Sequence, residues 1–135
     1  ANKTAWPRQG ILRVSAAGAA GSPKYVTVAQ ASGSISLGLS GQRLVEKAWI
    51  IQREYGKLTV TVDNPALIVV DAYVIYRNAG GQGYQILQQF AGSSVSGAPW
   101  IYNDAFLEPG TSYTYKIVAV DALGNIIGES NEISI

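Results

Sequence analysis

Apolar and polar residues alternate along most of this chain with a period of two, the pattern of strands rather than helices. The clearest case begins at Tyr113. Tyr113, Tyr115, Ile117, Ala119 and Asp121 fall on one face, and Thr114, Lys116, Val118 and Val120 on the other. Residues 117–120 are apolar on both faces, which predicts a central strand. Glu108-Pro109-Gly110-Thr111 precedes it as a turn, in which Pro presets φ and Gly supplies backbone freedom. Asp121-Ala122-Leu123-Gly124-Asn125 follows as a second turn, and a last strand runs to Ile135.

The same reading extends over the rest of the chain. Residues 1–10 form an irregular lead, in which Trp6-Pro7 fits neither a helix interior nor a central strand, so Trp6 is expected to be docked. Residues 11–15 predict a short strand, 16–23 a small-residue hinge, and 24–31 a β-branched strand. Residues 34–40 alternate strictly, with Ile35, Leu37 and Leu39 on one face and small residues on the other. Residues 42–52 predict a first sandwich strand or a short helix, with Trp49 in the core and a turn at Gly56. Further strands are predicted at 57–62, 67–77, 84–90 and 100–106. Asp63-Asn64-Pro65, the Gly-rich residues 78–83 and the Ser/Gly stretch 91–99 serve as connections.

Within this pattern Leu107-Glu108-Pro109-Gly110-Thr111-Ser112-Tyr113 resembles the L-x-P-G-T-x-Y motif of fibronectin type III domains. Residues 73–77, 102–104, 119–121 and 130–131 resemble that family's strands C, E, F and G, so the resemblance covers about residues 44–135. It implies an all-β, fibronectin III or immunoglobulin-like β-sandwich, with Tyr113 as the tyrosine corner whose hydroxyl bonds to nearby backbone. The chain departs from the pattern at strand B, where residues 57–62 lack the family's buried Trp. On this reading residues 44–135 supply seven strands, and residues 1–43 are a β-rich N-terminal extension beyond them.

Composition sharpens this division. The apolar fraction of 47% fills a core, while charge is sparse at 14%, against about 25% in ordinary soluble domains. Residues 1–44 hold Lys3, Arg8, Arg13, Lys24 and Arg43 with no acid, whereas 45–135 carry a net charge of −4. A basic extension beside an acidic body suggests electrostatic docking onto its own body or a neighbour's. Five scattered positive charges make no dense nucleic-acid patch. No apolar run approaches the ~20 residues of a membrane-spanning helix. The chain starts at Ala1 with neither Met nor Cys, which suggests an export signal removed and an extracellular or cell-surface location. Asn2-Lys3-Thr4 is a glycosylation sequon.

The candidate chemistry is thin. With no His and no Cys, the usual nucleophile–base pairs and zinc sites are absent. The nine acids form no tight motif and read mostly as turn residues, although Asp104, Asp121 and Asn125 are conceivable calcium ligands. Tyr55, Tyr84, Trp100 and Tyr102 are candidates for stacking on sugars. No cofactor is expected, and the chain does not read as an enzyme.

A strand-rich extension must pair with something, because unpaired strand backbone and apolar faces are costly. The expectation is a structural subunit of an extracellular filament or pilus-like polymer, whose partners are copies of itself, with glycans as a further class. The interface residues expected are Trp6, Ile11, Leu12, Val14, Val26, Val28, Ile35, Leu37 and Leu39. Architecturally this is similar to strand-donating subunits of extracellular pili and archaeal surface threads. The competing expectations are a carbohydrate-binding or adhesive module of a secreted protein, and a viral capsid-decoration protein.

Overall fold

The computed structural model describes residues 8–14, 24–30, 35–64, 68–95 and 99–135. Its strands are β1 (Arg8–Val14), β2 (Lys24–Gln30), β3 (Ser36–Ala48), β4 (Ile51–Asp63), β5 (Ala72–Ala79), β6 (Tyr84–Ala91), β7 (Trp100–Leu107), β8 (Tyr113–Val120), β9 (Ile126–Glu129) and β10 (Ile133–Ser134). A short 3-10 turn at Gly92–Ser94 is the only helical element among the described residues. The protein is thus all-β.

Two antiparallel sheets form the body. One has the order β3-β4-β7. The other has the order β10-β8-β5-β6, with β9 also paired to β8. Period-two patterning decides which side chains meet between them. On β4, Leu58 and Val60 are fully buried while Thr59 and Thr61 turn away. On β8, Tyr113, Tyr115, Ile117 and Ala119 enter the core, and Tyr73 and Ile75 join them from β5. Each fully buried aliphatic side chain contributes roughly 2 kcal/mol. Val118 is buried on the opposite face of β8, beside Val74 of β5. This strand is therefore covered on both sides and central, as its unbroken apolar run predicts.

The body starts earlier than the sequence reading placed it. The register Leu37↔Val62 and Leu39↔Val60 turns both leucines into the core, and Ile35 is buried with them. Asn131 locks this part of β3. Its Oδ1 accepts from Leu39 N–H at 3.0 Å and its Nδ2 donates to the Leu39 carbonyl at 2.8 Å, as a neighbouring strand would. β3 then runs unbroken through the expected boundary between residues 43 and 44. The surplus stretch therefore ends at residue 34.

Other expectations change for physical reasons. Residues 42–48 continue β3 and no helix forms there, because cross-strand pairing with β4 holds them to Ala48↔Ile51. Gly56 is not a turn but a buried position inside β4. A Cβ there would come within 2.8 Å of Ile135 Cδ1 and 3.3 Å of the Tyr115 hydroxyl, so glycine leaves both their space. The strand predicted at 67–77 begins at Ala72, with Ile68 buried ahead of it by two hydrogen bonds to the Asn64 side chain.

Candidate assembly interface

Two parts of the chain lie outside this closed body. The first is the far end of the β3–β4 hairpin. β7 follows β4 only as far as Glu54↔Leu107, yet β3 and β4 stay paired for three further residue pairs, to Ala48↔Ile51. This two-stranded finger ends in a turn at Trp49-Ile50, which are 102% and 98% exposed. Val45 and Ile51 on its strands are exposed as well. Trp49 has φ 55°, a left-handed conformation at a turn position that ordinarily takes glycine. Holding a large side chain there costs about 1 kcal/mol. Trp49 is therefore not the core residue expected from sequence.

The base of the finger is rigidly fixed. Arg43 donates from Nε to Glu54 Oε2 at 2.6 Å, from Nη1 to the Thr111 carbonyl at 2.7 Å, and from Nη2 to the Glu108 carbonyl at 2.6 Å. This ties β3 to the Pro109-Gly110 turn, where Gly110 has φ 76°. The same turn holds the Tyr113 hydroxyl, which accepts a hydrogen bond from Glu108 N–H at 3.0 Å. The guanidinium groups of Arg43 and Arg77 lie 5.7 and 5.6 Å from the Tyr113 ring centroid. Arg43, counted by sequence among the charges of the extension, is thus spent within its own subunit.

A groove of about 260 Å³ opens beside the finger, lined in part by Glu46, Tyr55, Asn103 and Phe106. Its shape comes from an irregularity in the β4–β7 register around Tyr55. There Phe106 adopts φ 65° and turns outward under Arg53, whose guanidinium is 5.7 Å from the ring. Glu46 makes no ion pair among the described residues.

The second part is the β1–β2 hairpin, which pairs with no other strand among those described. Opposed residues share a face. Ile11, Arg13, Tyr25 and Thr27 lie on one face, and Leu12, Val14 and Val26 on the other. Ile11 is 72% and Tyr25 66% exposed, and Leu12, Val14 and Val26 are also exposed. Both faces therefore show apolar side chains to solvent, and both edges are unpaired among the described residues. A two-stranded ribbon of this kind is marginal on its own.

Interior polar chemistry is structural in character. Asp104, 3% exposed, receives Arg77 Nη1 at 3.1 and 3.0 Å and the Tyr115 hydroxyl at 2.8 Å. Burial, then the hydrogen bond to Asp104, pushes the Tyr115 phenol far above its usual value. Burial is the largest influence on Arg77 and opposes its charge, but the hydrogen bond to Asp104 and the attraction of that carboxylate together outweigh it and leave its pKa raised. The Asp104 carboxylate is thus held by charge and hydrogen bonds inside the body.

Of the expected interface residues, Ile11, Leu12, Val14 and Val26 are brought together on the hairpin. Val28 is placed in β2 by its backbone. Ile35, Leu37 and Leu39 are sealed in their own subunit's core and are unavailable to a neighbour. Trp6 and Asn2 lie outside the described residues. The calcium reading does not hold together, since Asp104 is neutralised inside the body while Asp121 accepts from Asn125 Nδ2 at 3.0 Å in its own turn. Among the described residues no three acidic side chains gather into a metal site. The aromatic candidates form no common platform. Trp100 and Tyr102 pack edge-on against Phe90, Tyr84 lies under Lys116, and Tyr55 lines the groove. Sequence reasoning missed the finger, although the consecutive Trp49-Ile50-Ile51, with no polar alternation, was its signal.

Comparison with protein-family models, curated proteins and solved structures finds no match. No helix among the described residues is long and apolar enough to cross a membrane.

Proposed function

We propose that this protein is a non-enzymatic structural subunit of an extracellular filament, a fibronectin III-like sandwich that associates with copies of itself through its N-terminal β1–β2 hairpin. The observation that carries this reading is the hairpin itself. It exposes apolar side chains on both faces beside a sandwich that buries its own core without it. Such ribbons gain stability by adding to another sheet. The hairpin leaves from one place on the body and docks on a different place on the next subunit. A contact of that heterologous kind repeats without closing and builds a fibre.

Charge supports the same reading. Residues 1–34 carry Lys3, Arg8, Arg13 and Lys24 and no acid. The remainder of the chain is net acidic, so adjacent subunits attract in a head-to-tail order. The fibronectin III reading is supported by the sheet order, with β3, β4 and β7 in the places of strands A, B and E, and by the Tyr113–Glu108 bond. Absent thiols and sparse charge suit a surface-exposed polymer.

Light scattering and negative-stain microscopy test the proposal on the full chain beside a chain shortened to residues 35–135. Filaments from the full chain and a folded monomer from the shortened one are expected. Monomers from both contradict the proposal, and glycan-binding screens then become the next step.

A further inference from the structure

We infer that the acceptor for the hairpin is the β3–β4 finger of a second copy, with Trp49, Ile50 and Ile51 packed against Ile11, Tyr25 and their neighbours. This rests on the self-assembly reading above and names the surface that completes it. Four observations converge on it.

Finger and hairpin have the same deficiency. Each is a two-stranded ribbon with apolar side chains in solvent and edges unpaired among the described residues. Pairing them edge to edge gives four strands, and three or more are needed for a stable sheet. Next, the two belong to opposite ends of β3 along the chain. The hairpin enters the body at Ile35, whereas Trp49 closes the far end of β3. The five peptide steps from Gln30 to Ile35 reach at most about 18 Å, and β2 adds about 20 Å. Trp49 is about 46 Å of strand from Ile35. The hairpin therefore falls short of Trp49 at the tip of its own finger, so a ribbon packed on that tip comes from another copy.

Charge matches as well. Arg13 shares a hairpin face with Ile11 and Tyr25, and Glu46, without an ion pair among the described residues, lines the groove at the finger's base beside Tyr55 and Phe106. A face bearing one cation between apolar side chains meets a groove whose lining, with Glu46, Glu54 and Arg53, is net acidic. Finally, the finger tip is strained. A fully exposed Trp at φ 55° contributes nothing to its own subunit that glycine would not. Strain of this kind concentrates where a residue acts on a partner.

The absence of cysteine gives a clean test. Full-length Ile11→Cys and Ile50→Cys chains, each alone and then mixed, are oxidised under assembly conditions. The expected result is a disulfide dimer in the mixture and none in either single variant. A companion Trp49→Ser, Ile50→Ser chain, checked for a native fold by circular dichroism, is expected to need about 30-fold more protein to assemble. Self-linked Ile50→Cys dimers, or wild-type assembly that the Ser variant leaves unchanged, overturn the inference while leaving self-assembly standing. A wild-type chain that never assembles overturns both. Flotation with phosphatidylcholine vesicles that depends on Trp49, in a chain whose assembly does not, assigns the finger to lipid and overturns the inference.

Discussion

The sandwich and the two ribbons are built from the same strand chemistry, yet they end in opposite states. In the sandwich, the buried carboxylate of Asp104 has three donor contacts from two residues, and Asn131 caps the edge of β3 where no strand lies. In the ribbons, Trp49, Ile50, Ile11 and Tyr25 stand in water beside unpaired edges. The large apolar side chains of the ribbons stand exposed beside a body whose core is already filled. Exposed apolar patches on small soluble proteins mark contact surfaces. The contrast therefore separates the part of the chain that is complete as it stands from the part that the proposed assembly would complete.

The largest expected effect breaks the sandwich side of the contrast. Tyr115 holds its proton in the folded state far more strongly than in the unfolded chain, where its pKa is about 10. The stability this gives is complete below pH ~10 and is lost as pH rises above that value toward the folded pKa. Unfolding of the shortened chain followed by circular dichroism should show a steep loss of stability above pH ~10. Tyr115→Phe should remove much of that alkaline sensitivity. Next, Arg77→Ala leaves Asp104 buried without its cation and should cost about 3 kcal/mol in urea unfolding. Arg43→Ala removes the tie between finger and turn and should cost about 2 kcal/mol, with Arg43→Lys recovering only part, since an ammonium cannot reproduce three directed bonds.

The smaller effects sharpen the ribbon side. Trp49→Gly relieves the left-handed strain and should raise subunit stability by about 1 kcal/mol while weakening assembly. Opposite signs in urea unfolding and light scattering would show a residue kept for a partner. Tyr113→Phe should cost about 1 kcal/mol by leaving Glu108 N–H without its acceptor, and should not alter assembly.

The comparison also explains what was legible in the sequence. Strand β8 alternates along its first half, β5 is a continuous apolar run, and Pro109-Gly110 marks the turn before Tyr113, so these were readable locally. The destination of Ile35, Leu37 and Leu39 was not. Strict alternation says one face is buried, but whether under the same chain or another is decided by Val60, Val62 and Asn131, far away in sequence. The finger was hidden for a related reason. Trp49 reads as a core residue unless one knows that β7 leaves β4 at Glu54 and that nothing described covers the strands beyond. Asp104 carried a weak signal, an acid inside a strand pattern, while its partners Arg77 and Tyr115 lie on two other strands.

Amide hydrogen exchange of the full chain, read by mass spectrometry in dilute monomer and again in the assembled state, addresses the central claim most directly. The account predicts sandwich amides protected in both, and β1–β2 and finger amides that exchange rapidly in the monomer and become protected on assembly. Hairpin and finger amides as slow in the dilute monomer as those of β8 would contradict it, because the ribbons would then be complete without a second copy.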